Sequence, residues 1–410
     1  MKHLSFLGRN LMSMWSTDTT VQDSLFSVLS GQQTQMTALA QNALARGADL
    51  YSKGNYDGAV RQFKQSIGLD PSSSNAAQAY DLLATTYIRQ GKTEDAIKAY
   101  KASIAMAPSD DNAHLKLGNI YFSQKNYVGA EKEYKSAISA NPTSSTNVFS
   151  LGQVYLATGR YQQAETTFKR VIRIDPSQYG GYYALGQTYT KEGRQQDAIT
   201  EFKKVINIKK DFNEVHVDLG SAYADLGQMD NAKAELSLLQ NKSSSLYNLL
   251  SGYMAQTSKP KIIGAYNTSG FLDTLGPGTP VSVLSSSLAA PDGSELFSMK
   301  FVFNKSMDAR TVQNPYNWSI TKASYGAVGG TYNWGMPTPP TDLSLLPIPT
   351  SVVYEADKLT ATVSFVIQQN VSADGTLDLQ HIQFSFRGKD AYGNAMDKTA
   401  DQYSGISKIV

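Results

Sequence analysis

The sequence predicts two modules in series: an all-α solenoid of helix-turn-helix repeats, then an all-β antiparallel sandwich. Three observations carry this reading. Glycine, alanine, tyrosine and proline recur at a 34-residue step between about residues 40 and 242. At Lys259-Pro260 the helical periodicity stops and loop-forming glycine and proline follow. Beyond that point apolar and polar residues alternate at period two, the pattern of a half-buried strand.

Composition bounds the function. The chain has 410 residues, enough for two or three domains. Its 37 basic and 35 acidic residues leave a net charge of +2, which argues against field-driven binding to nucleic acid or acidic membranes. Charged residues are 18%, below the roughly 25% of average soluble chains, so Ser, Thr, Asn, Gln and Tyr must cover much of the surface. Cysteine is absent, which excludes disulfides, thiolate metal sites and a cysteine nucleophile. The four histidines, His3, His114, His216 and His381, lie too far apart in sequence for a local ligand motif. No stretch of 18 apolar residues occurs, so no transmembrane helix is expected. The opening MKHLSFLGRNLMSMW is interrupted at Gly8, Arg9 and Asn10 with no small-residue cleavage site after it, so no Sec signal is expected.

Residues 1–39 read as an amphipathic segment. Leu4, Leu7, Leu11 and Met14 or Trp15 share one helical face, and Val21, Leu25, Val28, Met36 and Leu39 suggest a second stretch. Ser, Thr and Gln dominate between them, which suits partial flexibility. A cap on the first repeat, docking to a partner and interfacial membrane contact are three open roles.

Residues 40–242 hold six repeat units. Gly118, Gly152, Gly186 and Gly220 are 34 apart, as are Ala130, Ala164, Ala198 and Ala232, and Tyr121, Tyr155, Tyr189 and Tyr223. Pro108, Pro142 and Pro176 keep the same step; Lys210 replaces the next proline. Three extra residues enter near Ser72-Ser73-Ser74. Glycine and alanine let two helices approach, aromatic residues fill the space beside them, and the proline stops the second helix. One helix pair cannot bury its own face, so the units must stack. The units LGNIYFSQKNYVGAEKEYKSAISANP and LGQVYLATGRYQQAETTFKRVIRIDP resemble the tetratricopeptide repeat (TPR) family. The resemblance implies a superhelix whose first helices line a concave groove. Asn119, Gln153 and Gln187, each just after a packing glycine, then face the groove, with Leu115, Phe149 and Tyr183 beside them as apolar anchors. An amide both donates and accepts, so such a row can pair with the backbone of an extended peptide without demanding a sequence. A solvated polar stripe is the plainer alternative. His114 and His216 stand where the family places bulky packing residues.

Residues 243–258, with Leu246, Leu249 and Leu250, read as a helix capping the array. Residues 259–296 read as a linker and first strand region, 297–398 as the sandwich, whose start could lie near 262, and 399–410 as a tail. Phe297, Met299, Phe301 and Phe303 alternate with mostly polar neighbours, as do Leu359, Ala361, Val363, Phe365 and Ile367, and Ile382, Phe384 and Phe386 make a third run. FVFNKSMDARTVQNPYNWSI, DKLTATVSF and GKDAYGNAMD resemble a bacterial immunoglobulin-like domain of the surface-layer type. Phe303, Lys305, Met307 and Asp308 match its opening turn; Asp390, Gly393, Asn394 and Met396 match its closing one. Residues 324–350 read as a loop insertion. Asp390 and Asn394 are a weak calcium candidate, against the reading that they only form a turn.

No phosphate loop, GxGxxG or GxSxG occurs, so no catalytic residue and no cofactor are expected. The expected function is a non-enzymatic protein–protein scaffold, its groove holding a partner segment and its β module acting as spacer or adhesive module. The alternative is a structural subunit of a self-assembling surface or extracellular structure, its groove capturing residues 1–20 of a neighbouring copy. Protein or peptide partners and a homo-oligomer are expected, nucleic acid is not. Both cell-surface export by a non-Sec route and a cytoplasmic location remain open.

Overall fold

The computed structural model describes residues 5–269, 275–327 and 329–405, with side chains from Phe26 onward. The stripe of Leu4, Leu7, Leu11, Met14 and Trp15 therefore lies outside the described side chains. By internal packing the chain divides into residues 1–222 and 223–410. The shift in composition at Lys259-Pro260 lies inside the second unit.

Helices run in antiparallel pairs: α1 (Ser5–Ser52) with α2 (Tyr56–Leu69), α3 (Ser74–Arg89) with α4 (Thr93–Met106), and α5 (Asp111–Ser123) with α6 (Tyr127–Ala140). Then α7 (Ser145–Ala157) pairs with α8 (Tyr161–Ile174) and α9 (Tyr179–Lys191) with α10 (Gln195–Ile208), followed by α11 (Glu214–Asp225), α12 (Met229–Leu239) and α13 (Ser244–Thr257). Each pair closes on a left-handed residue, for example Gly159 at φ 73° and Gly193 at φ 76°, which glycine adopts without steric cost. In the third repeat Lys125 takes this place at φ 59°. The following amide returns to the helix, as Arg160 N does to Tyr155 O at 2.8 Å. Asn55, Ser73, Asp110, Asn126 and Ser144 cap the helices that follow them.

The N-terminal region is one helix of 48 residues rather than two stretches with a flexible link. Its Ser, Thr and Gln residues are compatible with a helix, and Gly31 within it costs about 1 kcal/mol. From Gln33 onward α1 is tied to the first repeat: Gln33 and Thr37 donate to Asp70 at 3.3 and 2.6 Å, and Ser66 Oγ donates to Ala40 O at 2.8 Å. Ahead of that contact Phe26, Val28 and Leu29 are exposed.

Among its described residues the second unit carries nine strands: β1 (Ile262–Asn267), β2 (Thr279–Pro280), β3 (Ser294–Phe303), β4 (Trp318–Lys322), β5 (Ser351–Glu355), β6 (Thr360–Gln368), β7 (Thr376–Leu377), β8 (Ile382–Phe386) and β9 (Gln402–Ser404). They form antiparallel sheets in the orders β1-β3-β6-β5, β4-β8-β9 and β2-β7. The two larger sheets share one core. Phe301 of β3 lies 5.1 Å from Trp318 of β4 and 5.3 Å from Phe384 of β8, and Phe303 lies 5.5 Å from Phe386. Residues 324–350 cover the outer edge of β4, where Ile320 N donates to Pro347 O at 2.8 Å. Tyr332 O–H and Lys322 both bind Asp342, closing the segment on its strand.

Candidate functional site

The repeat packing is explicit at its glycines. A Cβ at Gly152 would stand 2.5 Å from the ring of Phe168, one at Gly186 2.5 Å from Phe202, and one at Gly118 2.6 Å from Tyr134. Each ring lies on the facing helix, so each glycine is the hollow that receives it. Gly220 is also buried, and Ala130, Ala164, Ala198 and Ala232 have no exposed surface.

The candidate groove residues occupy equivalent places on α5, α7 and α9. Asn119 is exposed; Gln153, Gln187, Leu115, Phe149 and Tyr183 are half-buried. The amides are not equivalent. Tyr134 O–H donates to Asn119 Oδ1 at 2.8 Å, and Tyr100 pairs with Thr85 in the preceding repeat at 3.0 Å. Phe168 and Phe202 stand at the same repeat position as those tyrosines, so Gln153 and Gln187 have no such hydroxyl opposite them. Phe149 packs against Phe168 with the rings tilted and their centroids 5.6 Å apart. Tyr183 sits between Phe202 at 5.9 Å and Phe212 at 4.9 Å. A Cβ at Gly180 would meet the Phe149 ring at 3.8 Å, so a side chain there would contact that ring.

Between first helices of neighbouring repeats, Lys116 Nζ binds both oxygens of Asp81 at 3.1 and 2.9 Å. Thirty-five residues after Tyr183 stands Asp218, the same step as from Asp81 to Lys116. Burial pushes the Asp218 carboxyl above its ordinary range, against hydrogen bonding from Tyr183 and Gln187 and the pull of Lys191. Burial also pushes the Tyr183 hydroxyl up. Sequence reasoning passed over Asp218, because a single acidic residue on a helix reads as a solvated face.

A second feature absent from that reading ties repeats together. Glu131 accepts from Arg160 at 2.7 Å and pairs with Lys135 at 2.8 Å, and Arg160 lies 4.5 Å over the Tyr155 ring. One repeat later Glu165 accepts from Arg194 at 2.8 Å and Lys169 at 2.6 Å, with Arg194 4.1 Å over Tyr189. Hydrogen bonding from Arg160 holds the Glu131 carboxyl down; at Glu165, burial raises the pKa, but the bonds from Lys169 and Arg194 prevail and lower it. His114 is buried, with Nδ1 2.7 Å from Glu133 and Nε2 3.3 Å from Pro108 O.

The two turn motifs of the β region meet in space. Lys305 Nζ lies 2.6 Å from Asp390 Oδ2, and Asp390 is 1% exposed. Asn394 turns its Nδ2 toward the same oxygen at 2.9 Å, while its N–H and that of Tyr392 donate to Oδ1 at 2.8 and 2.9 Å. A lysine ammonium thus stands where calcium would have to be, and Asn394 presents a donor, so this turn does not supply a calcium cage. Among the described residues no three acidic or histidine side chains gather to hold a metal. Lys305 also donates to Ala255 O and Ser258 O, and Asn394 to Gln256 O, so the motif residues cap the carbonyl end of α13.

Models of the tetratricopeptide repeat match residues 37–109, 82–145 and 121–187, and a TPR repeat model matches 186–227. Residues 37–227 are therefore tetratricopeptide repeats in a helical solenoid, followed by a β-rich region of antiparallel sheets. Among solved structures the chain is similar to MamA, at 25% identity over 42% of this chain and 92% of that one, with a TM-score of 0.39. It is also similar to Pseudomonas aeruginosa pilF, at 19% identity over 53% and 99% with a TM-score of 0.44. A tetratricopeptide repeat protein of Parabacteroides merdae matches at 17% identity over 54% and 89%, with a TM-score of 0.47. No curated protein matches the chain.

Proposed function

We propose that this protein is a non-enzymatic scaffold whose repeat groove holds an extended segment of a protein partner. The observation that carries this is the recurrence of an amide beside an apolar anchor in three successive repeats: Leu115 with Asn119, Phe149 with Gln153, Tyr183 with Gln187. Amides satisfy the backbone of an extended chain, and aromatic anchors tend to dominate such interfaces. The β region serves as an immunoglobulin-like spacer or adhesive module; the meeting of Lys305 and Met307 with Asp390 and Asn394 supports that reading. The test uses peptides selected from a random display library on the full chain. Changing Asn119, Gln153 and Gln187 together to alanine should weaken their binding by roughly 1.5–4.5 kcal/mol, about ten-fold to two-thousand-fold if the effects add. Unchanged affinity would remove the amide row from the reading.

The exposed Phe26, Val28 and Leu29 on α1 favour a second reading, a self-assembling structural subunit. A helix satisfies its own backbone, so an amide row would not hold it as it holds an extended strand. Self-assembly through α1 would therefore rest on its apolar side chains.

A further inference from the structure

We infer that the groove segment formed by α9 and α11 selects a basic side chain, lysine or arginine, on the segment it binds. The inference rests on the groove reading above and gives it a ligand chemistry.

The solenoid contains its own comparison. Between α3 and α5, positions 35 residues apart hold Asp81 and Lys116, and the lysine neutralises the half-buried carboxylate through two hydrogen bonds. Between α9 and α11 the same step joins Tyr183 to Asp218. Here a carboxylate occupies the place of Lys116, and a neutral tyrosine stands opposite. Asp218 is half-buried, and its Oδ2 has no hydrogen-bond partner. Lys191, the cation that acts on it, forms no ion pair with it among the described residues. A carboxylate withdrawn from water without a cation is costly, and a cation from outside recovers that cost.

The surroundings suit a lysine or arginine rather than a bare metal ion. Tyr183, whose hydroxyl faces Asp218, stands edge to face with Phe212, and Glu214, one turn before Asp218 and exposed, adds negative charge near the Tyr183 hydroxyl. Aromatic walls accept the alkyl stem and the cation face of a basic side chain. The Phe149 ring, next to Gly180, supplies an apolar contact for a neighbouring residue of the same segment.

The experiment pans random dodecapeptides displayed on phage against the full chain and two variants, Asp218→Asn and Tyr183→Lys. The wild type should enrich lysine or arginine at one position, and replacing that residue by alanine in a selected peptide should weaken binding about tenfold. Asp218→Asn should still capture peptides through the amide row but lose the basic preference. Tyr183→Lys supplies the missing cation within the chain, at the expense of the ring contacts with Phe202 and Phe212, and should lose the preference. Peptides selected without a basic residue, or a preference that survives Asp218→Asn, would overturn the inference and leave the groove reading standing. If no peptide is captured in a way that depends on Asn119, Gln153 and Gln187, the groove reading itself fails and this inference with it. Melting of Asp218→Asn alone gives a ligand-free check: a rise shows an unpaired carboxyl relieved, and a fall shows that the fold already satisfies it.

Discussion

Gly152 shows how one missing side chain sets a repeat. The Phe168 ring occupies the space where its Cβ would be. Gly152→Leu should overpack this contact and cost about 1–3 kcal/mol, read as a lowered helical melting transition. An unchanged melt would move Gly152 off the packing seam. At the other end of the chain, Asp390 works through charge. Burial pushes its carboxyl up, but Lys305 and Asn394 prevail and hold it below its ordinary value. A depressed carboxylate contributes stability that is present above pH ~4 and lost as the pH falls through the folded value. Asp397 is held at about 2, chiefly by Thr399, and acts in the same sense. The β-region melting temperature should therefore fall as the pH drops below about 4, and Asp390→Asn should flatten part of that fall. An identical acid profile in Asp390→Asn would show that the Lys305 pair contributes nothing.

Among the elements, α1 departs most from an ordinary repeat helix. At 48 residues it is roughly 72 Å long, and its contact with the first repeat begins near Gln33. Isolated helical stretches are marginal in water, so a partner that covers Phe26, Val28 and Leu29 would stabilise this region. Deleting residues 1–20 should leave the repeats folded by circular dichroism and reduce self-association in sedimentation if the self-assembly reading holds. Association at the wild-type level would exclude that segment as its cause. The helix α13 is held from two sides: it packs against α12 with Tyr253 O–H donating to Asp225 of α11, and its last carbonyls accept from two distant turns of the β region.

For the whole molecule, the division into residues 1–222 and 223–410 predicts two thermal transitions. Stability in a stacked array is a sum of neighbour interactions, so Gly152→Leu should lower the transition of the repeats and leave that of the β region in place. A shift of both together in calorimetry would mean that the two units unfold as one.

The repeat architecture was legible in the sequence because every unit solves the same packing problem with the same residues: a hollow at glycine, a ring to fill it, a left-handed turn and a stop. The antiparallel strands were legible for a related reason, since Phe297, Met299, Phe301 and Phe303 must all face one core. Both patterns are local and periodic. What depended on tertiary structure was pairing between residues far apart in the chain. Asn119 and Gln153 read alike until Tyr134 and Phe168 were seen opposite them. Asp390 could be a metal ligand or part of a turn until Lys305, 85 residues earlier, was found against it. Asp218 read as a solvated acid until its burial left one oxygen without a partner. Periodicity reports which face of an element is buried; only the fold decides which charge or hydrogen-bond partner meets a given side chain there.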